Sequence, residues 1–540
     1  MATRFIGGES AHRSFWGGRS SKSQTRALLV CAGVTVVWMM FGGGAIALTA
    51  GVLASLVVIV GNLSTHRGSV LERREKRSRW RRRRKAGWDR FVPYTPETWA
   101  AAQAEAAAAN GKRTAARVLA AVRSRPDGAD GMGWLDSRTG HPGVAWHSPE
   151  GEQAYLSVAF ELDGQLRGAE SQRVQNSAQA GFGSLLASCA PADSLVRGVQ
   201  SLTRVLPPDL ALNERWVQEH MAADAPDEAV ASYQEVLART GKGTFVQKHI
   251  AVGRWPLTEE FKSKAALYGP GRDGWRALME QEIAKIAASY RAARYGRVKP
   301  LTARAVVAMI LHQQNPSRPP LMVADVDPRH MGVPSWDEWN GHWCQGVDPI
   351  TGTDAVWGHR TARISADNVE TGERTPYWLL SLLLAGGDGA RTLSFQIEVV
   401  PAPSARQLAA KDVVRDTASA MAKARKGQLV DAETDVALRA AKARAADLEP
   451  GTGVHGSNWV GYITVSAQTQ RELTNAAARL EQTASTSAGI QKLEWLDTFQ
   501  SSASGTTWPI FRGLAPATPT MGARLLGRLA GKADKEEKVA

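Results

Sequence analysis

Cysteine is scarce in this sequence, and the short motifs of common enzymes are missing from it. The only cysteines are Cys31, Cys189 and Cys344, which are too few and too scattered for a disulfide framework and fit a reducing compartment. No phosphate-binding loop of the form G-x-x-x-x-G-K-S/T, no H-E-x-x-H metal motif and no G-x-S-x-G nucleophile elbow occurs. We therefore predict no catalytic residues, no cofactor and no enzyme activity.

Two patterns resemble ligand sites but have simpler explanations. Residues 451–456 match the glycine spacing G-x-G-x-x-G, yet a predicted helix precedes them and a predicted strand follows. That order is the reverse of a dinucleotide-binding turn and is typical of a helix stop followed by a turn. His330, His342 and Cys344 lie in a Trp-rich segment without the spacing of a closed metal site, so we predict no metal.

Positive charge is concentrated at the N-terminus, around the longest uncharged stretch. Residues 1–90 carry 17 Lys and Arg against 4 Asp and Glu, a net charge of +13, whereas the net charge of the whole chain is +14. Residues 27–63 contain no charged side chain, and an Arg-rich segment at 64–90 follows them. The pI of about 9.8 therefore describes the N-terminus rather than the body.

The uncharged stretch predicts a transmembrane helical hairpin. It exceeds the ~20 residues that one span needs, so two helices at 27–41 and 45–63 would cross the membrane twice. Because both flanks are basic, the tail and the body are expected on the cytoplasmic side of the cytoplasmic membrane. A re-entrant first helix and a cleaved signal peptide are the alternatives. The glycines that favour the turn are Gly42, Gly43 and Gly44.

The Arg-rich segment predicts contact with a negatively charged partner. Basic residues beside a membrane span attract anionic lipid, and Trp side chains prefer the headgroup level. The same composition can bind DNA by neutralising phosphates, which is the alternative. The predicted contact residues, for lipid or for a partner, are Arg73, Arg74, Arg77, Arg79, Trp80, Arg81, Arg82, Arg83, Arg84, Lys85 and Trp88.

The rest of the chain predicts an α+β body. An α/β cytoplasmic domain is expected at 91–314 and a ferredoxin-like α/β domain at 351–515, with a Trp- and Pro-rich loop at 315–350 between them. The chain would begin with a basic tail at 1–26 and end with a flexible basic tail at 516–540. The predicted fold class is therefore α+β, with a transmembrane hairpin followed by a cytoplasmic body that contains ferredoxin-like elements.

The ferredoxin-like prediction depends on the alternation of strands and helices near the C-terminus. In 392–400, apolar residues alternate with polar ones, as in a strand that is buried on one side. A long helical region, a second strand, a second helix and a third strand follow, which is typical of a split βαβ fold. These later elements are predicted at 404–448, 458–466, 468–483 and 490–496.

Several local features resemble one known family. They are the helix opening Leu301-Thr302-Ala303, the turn Pro401-Ala402-Pro403-Ser404-Ala405 after a strand, Val413-Val414-Arg415-Asp416 within a long helix, and Gln500 before Trp508-Pro509. With the basic tail, the hairpin and the Arg-rich segment, the chain resembles actinobacterial membrane proteins of integrative conjugative elements. Those proteins are similar to the N-terminal, nucleotide-free part of type IV secretion ATPases of the TraC/TrbE class.

The resemblance implies a non-enzymatic inner-membrane component of a conjugative or type IV-like secretion machine. Such a protein would anchor and dock an ATPase that is supplied as a separate chain, and it would work as an oligomer among other membrane subunits. A membrane component of a type VII secretion complex, a membrane-tethered enzyme and a membrane-tethered DNA-binding anchor are the alternatives. The resemblance carries no catalytic residues.

Overall fold

The computed structural model covers most of the body and short pieces of the N-terminal region. Within the described residues, the protein has an α+β fold in which one large mixed sheet carries most of the core. These residues are 4–6, 33–40, 49–55, 70–149, 153–165, 170–191, 193–206, 217, 219–222, 224–241, 246–319, 322–348, 352–374, 378–384, 389–425, 432–452 and 454–513.

The predicted transmembrane hairpin is wrong. Within 27–63 the structure describes 33–40 and 49–55, which are helical. Among all the described residues, no helix is both long enough and apolar enough to cross a bilayer. The prediction of a multi-pass protein in the cytoplasmic membrane is therefore wrong as well. The predicted turn lies outside the described residues, at Gly42, Gly43 and Gly44.

The secondary structure elements are numbered in chain order. The strands are β1 (Arg4–Ile6), β2 (Arg90–Pro93), β3 (Val122–Arg123), β4 (Met132–Asp136), β5 (Val144–His147), β6 (Tyr155–Leu162), β7 (Gly198–Leu206), β8 (Val246–Pro256), β9 (Val298–Pro300), β10 (Ser335–Asp337), β11 (His342–Val347), β12 (Asp354–Ile364), β13 (Gly372–Arg374), β14 (Arg391–Val400), β15 (Gly456–Ala467) and β16 (Glu494–Trp495). The helices are α1 (Val70–Ala86), α2 (Pro96–Ala108), α3 (Lys112–Ala121), α4 (Gln172–Ser188), α5 (Asp227–Gly241), α6 (Glu259–Ala266), α7 (Gly271–Ala292), α8 (Ala303–Gln314), α9 (Leu380–Leu384), α10 (Ala402–Arg425), α11 (Ala432–Asp447), α12 (Gln470–Thr486) and α13 (Gln500–Ser504).

Fourteen strands form one continuous sheet, and β1 pairs with β13 in a separate two-stranded sheet. The order in the large sheet is β3-β2-β10-β11-β12-β15-β14-β7-β8-β6-β5-β4, with β16 beside β12 and β9 beside β6. The pair β2–β3 is parallel, and the long central pairs are antiparallel. The centre of the sheet joins the two halves of the chain, because β14 pairs with β7 from Arg391↔Val205 to Glu398↔Gly198.

The two halves of the sheet repeat one topology. Each begins with a meander, β4-β5-β6 in the first half and β10-β11-β12 in the second. Two crossovers follow, each passing one strand, so that the first half has the order β7-β8-β6-β9 and the second the order β14-β15-β12-β16. This is the arrangement of two split βαβ units. The halves meet through equivalent strands, β7 and β14, so the sheet consists of two units of the same topology side by side.

The predicted fold class therefore needs correction, because no described helix can span a membrane and the α+β body is built on one mixed sheet of fourteen strands. The strands expected at 392–400 and 458–466 are present as β14 and β15, which are direct antiparallel neighbours in the second half of that sheet. The strands of both predicted domains belong to a single sheet. The predicted loop at 315–350 contains β10 and β11, which extend that sheet.

Both faces of the central strands are buried, and they differ in chemistry. In β14, Leu393, Ile397 and Val399 lie on one face, where α4, α6, α7, α9 and α12 contribute to the apolar clusters. Thr392 and Ser394 lie on the opposite face and are equally buried. There, α8 and residues 500–513 cover the sheet. A strand that is buried on both faces usually carries apolar residues throughout, so a buried polar face requires matching hydrogen-bond partners.

Local sequence signals explain where the covering helices begin. Thr469 caps α12, with its side chain accepting a hydrogen bond from the backbone of Glu472 while the Glu472 side chain bonds back, which is a capping box. The apolar stripe that follows buries Leu473 and Leu480 against the sheet. Thr302 caps α8, where its side chain accepts a hydrogen bond from the backbone N–H of Ala305. Both helices are thus positioned by signals that are local in sequence.

Candidate functional site

The Arg-rich helix α1 is attached to the body along one face. Trp80 packs edge-on against Trp339, with ring centroids 6.3 Å apart. The guanidinium of Arg79 lies over the ring of Phe499, at 5.1 Å from its centroid. Because Trp80 and Arg79 share one side of the helix with Arg83, the same side contacts the body over about one turn. The helix is therefore held in a defined orientation.

Arg83 makes the strongest of these attachments. Its Nη2 donates to Asp337 Oδ2 at 2.7 Å, to Asp127 Oδ2 at 2.9 Å and to Ser501 Oγ at 2.9 Å. The side chain of Asp337 is fully buried, and those of Arg83 and Asp127 are mostly buried. Arg123 also pairs with Asp127, at 2.6 Å. Removing one partner from a buried set of charges leaves the others uncompensated, so Arg83 is part of the folded core.

The opposite face of α1 is exposed and strongly basic. No large apolar residue lies on it, since Trp80 is the only one in the sequence from Arg73 to Lys85. Arg84 lies 3.8 Å from Asp89. Residues that are 12 apart along a helix lie ~18 Å apart, so the charge forms a stripe of that length. The exposed cations of the helix are Arg73, Arg74, Arg77, Arg81, Arg82, Arg84 and Lys85.

The structure thus divides the predicted contact residues into two groups. Arg79, Trp80 and Arg83 contact the body and are only partly exposed, whereas the seven other basic residues face outward. Trp88, just after the helix, is exposed. The sequence contained a signal for this division, because positions 76, 79, 80 and 83 have the spacing of residues that lie on one face of a helix. A charge count alone treats all the arginines alike.

Asp337 connects α1 to a buried cysteine and histidine. Besides Arg83, it accepts a hydrogen bond from His342 Nδ1 through Oδ1, at 3.1 Å. Ser501 donates to it twice, from the backbone N–H at 2.9 Å and from Oγ at 2.7 Å. His342 and Cys344 are two residues apart in β11, so their side chains lie on the same face of the strand. Asp337, His342 and Cys344 therefore form one buried cluster.

The charges in this cluster shift two pKa values in opposite directions. Burial by itself raises the pKa of Cys344, but attraction to and hydrogen bonds with His342 and His359 outweigh it and lower the pKa to about 6. Burial lowers the pKa of His342, but Cys344 and Asp337 outweigh it and raise the pKa to about 10. The folded protein therefore favours a thiolate beside an imidazolium. This is the electrostatic state of an activated cysteine.

Access to the cluster is closed. Cys344 is completely buried, and His342 and His359 are almost so. The enclosed cavity beside the two histidines has a volume of about 10 Å³, room for one water-sized group. His359 Nε2 donates to the carbonyl of Gln314 at 2.9 Å, which ties β12 to α8. In this conformation the cysteine has the charge state of a nucleophile but no space for a substrate.

Residues 500–513, which we call the C-terminal strap, close the polar face of the sheet. Gln200 Nε2 donates to the carbonyl of Trp508 at 3.0 Å, and Gln200 Oε1 accepts from the N–H of Phe511 at 2.9 Å. Tyr155 donates its hydroxyl to the carbonyl of Phe511 at 3.0 Å, and Thr464 Oγ1 lies 2.9 Å from Thr507 Oγ1. Sheet side chains thus bond the strap largely through its backbone.

Sequence reasoning missed the buried cluster. It treated His342 and Cys344 as loop residues, although the alternation His342-Trp343-Cys344 places Trp343 in the apolar cluster and the other two on the polar face. Within the part of the chain that is described, no group of three or more His, Cys, Asp or Glu side chains is arranged to hold a metal ion.

Comparisons with known proteins add no family to these observations. No protein-family model matches the chain, and no curated protein matches it either.

Proposed function

We propose that the protein is a non-enzymatic scaffold that binds the phosphate backbone of nucleic acid through the exposed face of α1. The observation that carries the proposal is the division of this helix. One face is fixed to the body through Trp80 and Arg83, and the other presents seven cations to solvent. A basic surface that is held in place can neutralise several phosphates at once and release their counterions.

Nucleic acid fits this surface better than an anionic membrane does. A helix that lies on a membrane inserts an apolar face between the lipids. In α1, the only large apolar residue from Arg73 to Lys85 is Trp80, and it packs against Trp339. The argument for lipid also depended on an adjacent membrane span, and no described helix is able to span a membrane. A helix that carries a stripe of charge ~18 Å long suits the major groove, which is ~12 Å wide.

The sequence resemblance supplies the biological setting of this proposal. It supports a scaffold within a conjugative or type IV-like secretion machine, where a separate ATPase would be the protein partner and DNA the bound polymer. The setting rests on the local motifs that start at Leu301, Pro401, Val413 and Gln500. The basic surface does not depend on it.

The first test measures binding of duplex DNA to the full chain by fluorescence anisotropy at several salt concentrations. The variant R73Q/R77Q/R81Q/K85Q removes four exposed charges that have no role in attaching the helix. Each lost phosphate contact lowers the steepness of the plot of log K against log salt by about 0.9. We therefore expect the slope to fall by about 3 to 4 and the affinity at low salt to drop at least a hundredfold.

A matched control distinguishes the effect of this surface on DNA binding from the effect of net charge. The variant R406Q/K411Q/R471Q/K492Q changes four exposed cations elsewhere and lowers the net charge equally. It should bind DNA as the unchanged protein does. Equal losses in the two variants would contradict the proposal. So would binding to vesicles that contain anionic lipid without any binding to DNA, because the surface would then serve a membrane.

A further inference from the structure

A buried arginine without a counter-charge lies in the centre of the sheet. Arg204, in β7, is 4% exposed. Its Nη2 donates to the carbonyl of His312 at 3.2 Å, and its Nε has no hydrogen-bond partner. No ion pair to Arg204 occurs among the described residues. Burial lowers the pKa of this guanidinium to about 9. A buried charge normally has a partner of opposite sign.

The enclosed cavity described above lies against this guanidinium. Its volume is about 10 Å³, and no Asp or Glu side chain lines it. Hydroxyl groups and an amide surround it, from β14, β15, α8 and the C-terminal strap. Three of the lining hydroxyls are already bonded within the protein, since Thr507 donates to the carbonyl of Ser504, Thr464 lies 2.9 Å from Thr507 Oγ1, and Ser466 lies 2.8 Å from His359 Nδ1. The donors that remain for a ligand are the guanidinium of Arg204, the amide of Gln313 and the hydroxyl of Thr392, and they make the cavity electropositive.

Unsatisfied polar atoms mark the same place. Gln313 is 7% exposed, and neither its Nε2 nor its Oε1 has a hydrogen-bond partner. Buried side-chain amides are bonded in most proteins, and an orphan indicates an absent water or ion. Arg204 and Gln313 come from different elements, β7 and α8, yet both line the cavity. Two side chains with unpaired buried polar atoms, from two different elements, therefore line one cavity.

We infer that this cavity is a binding site for a small monoatomic anion, with chloride as the physiological ligand. A single water molecule would satisfy hydrogen bonds but would leave the charge of Arg204 uncompensated. A halide satisfies both requirements, because it accepts several hydrogen bonds and carries the missing charge. The cavity has room for one water-sized group, which a halide exceeds only slightly and a polyatomic anion such as phosphate exceeds by far.

The site would hold three elements together. Arg204 belongs to the sheet, Gln313 to α8 and Thr507 to the C-terminal strap, and all three line the cavity. An anion bound among them stabilises the folded chain by mass action, because the unfolded chain has no such site. The inference is independent of DNA binding by α1, so either can fail without the other.

Anomalous diffraction from crystals of the full chain grown in sodium bromide tests occupancy directly. We expect an anomalous peak within hydrogen-bond distance of Arg204 and a Thr or Gln donor of the cavity. In solution, chloride is replaced by gluconate at constant ionic strength. The Tm should rise with chloride concentration, by about 2 °C or more for a hundredfold increase.

Two variants connect the chloride effect to the cavity. Thr392→Val removes one hydroxyl from the lining at nearly constant volume, and it should weaken chloride binding about fivefold. Arg204→Met removes the charge and should abolish the dependence of Tm on chloride. The matched control is Arg254→Met, since Arg254 is also a buried sheet arginine but lies beside Glu398 and over Tyr155. It should keep the full chloride dependence.

Several results would overturn the inference. One is an ordered water without anomalous signal at the cavity, and another is a Tm that is the same in chloride and gluconate. If Arg204→Met does not fold, the bromide crystals and Thr392→Val still decide the question. A chloride dependence that Thr392→Val leaves unchanged and Arg254→Met removes would assign the ion to another place.

Discussion

At the scale of single residues, Asp337 is the point where the surface and the interior meet. Its Oδ2 accepts from Arg83 on the basic helix, and its Oδ1 accepts from His342 in the sheet. Ser501 of the C-terminal strap bonds both oxygens. Asp337 in turn favours the imidazolium of His342 and raises its pKa. The charge state of Cys344 therefore depends on residues far away in sequence.

The first prediction at this scale concerns the thiolate of Cys344. In the variant C31S/C189S, Cys344 is the only thiol, and the ultraviolet absorbance of its thiolate should appear with a midpoint near pH 6. Adding His342→Gln removes the main opposing charge, and the midpoint should then move to higher pH, because only His359 is left to oppose the effect of burial. His330→Gln is the control, since His330 is exposed and bonds Asp327. A midpoint near 9 without His342→Gln would contradict the ion pair.

The same pair makes stability depend on pH at the alkaline end. His342 has a raised pKa, so its contribution is present below its unfolded value of 6.5 and is lost as the pH rises through about 10. Cys344 has a lowered pKa, so its contribution is present above 9.0 and is lost as the pH falls through about 6. Between pH 6.5 and 9.0, folding transfers one proton from the thiol of Cys344 to the imidazole of His342, so the chain takes up and releases no net proton. Stability should therefore be flat near neutrality and fall from pH 9 to 10 in urea titrations.

At the scale of elements, the C-terminal strap is held by side chains that bond its backbone. Gln200 is fully buried and bonds Ser394 Oγ at 2.8 Å in addition to the strap. Ser501 and Thr507 add side-chain contacts, but most bonds involve carbonyl and N–H groups of the strap. The sheet therefore recognises the path of the strap rather than its side chains. This explains how a polar face can be buried at little cost.

Gln200→Met tests that explanation. The change leaves the N–H of Phe511 buried without a partner, whereas the carbonyl of Trp508 loses one donor and keeps the N–H of Ile510. One unpaired buried group costs ~1–3 kcal/mol, so we expect the free energy of unfolding to fall by about 1 to 3 kcal/mol in urea titrations. Gln247→Met is the matched control, because Gln247 in β8 is exposed. It should change the free energy of unfolding by less than ~0.5 kcal/mol. Equal effects would show that Gln200 does not hold the strap.

At the scale of the whole molecule, the sheet couples the two halves of the chain. The repeated topologies meet at β7 and β14, where nearly the full length of both strands is paired. The C-terminal strap packs on strands of both halves, so it buries the polar face of each. We therefore expect the halves to lose structure together.

Ser201→Pro tests this coupling at the central strand. Ser201 pairs with Phe395 on one side and with Ala251 on the other. Proline inside a central strand removes a ladder hydrogen bond and therefore destabilises the pairing on that side. Hydrogen exchange should then become faster in both halves, at 155–256 and at 391–467, whereas Ser201→Ala should leave protection unchanged. Faster exchange in the first half alone would show that the halves are independent.

The sequence allowed correct predictions wherever a pattern was local. The alternation in 392–400 predicted β14, and the stripe around Leu473 and Leu480 predicted α12. A local pattern misled at the uncharged stretch 27–63, which matches a membrane hairpin by composition. No helix among the described residues is long and apolar enough to span a bilayer. Hydropathy reports how apolar a segment is, and a helix of spanning length does not follow from it.

By itself, the sequence determined the concentration of positive charge in one segment and the alternation of the strongest strands, because both are properties of neighbouring residues. Only the tertiary structure decided that Arg83 turns inward while Arg81 faces solvent, and that His342 and Cys344 share a buried face with Asp337. It also decided the pairing of β7 with β14, which joins residues almost two hundred positions apart. Pairing, burial and charge compensation are relations between distant residues, and a chain acquires them only by folding.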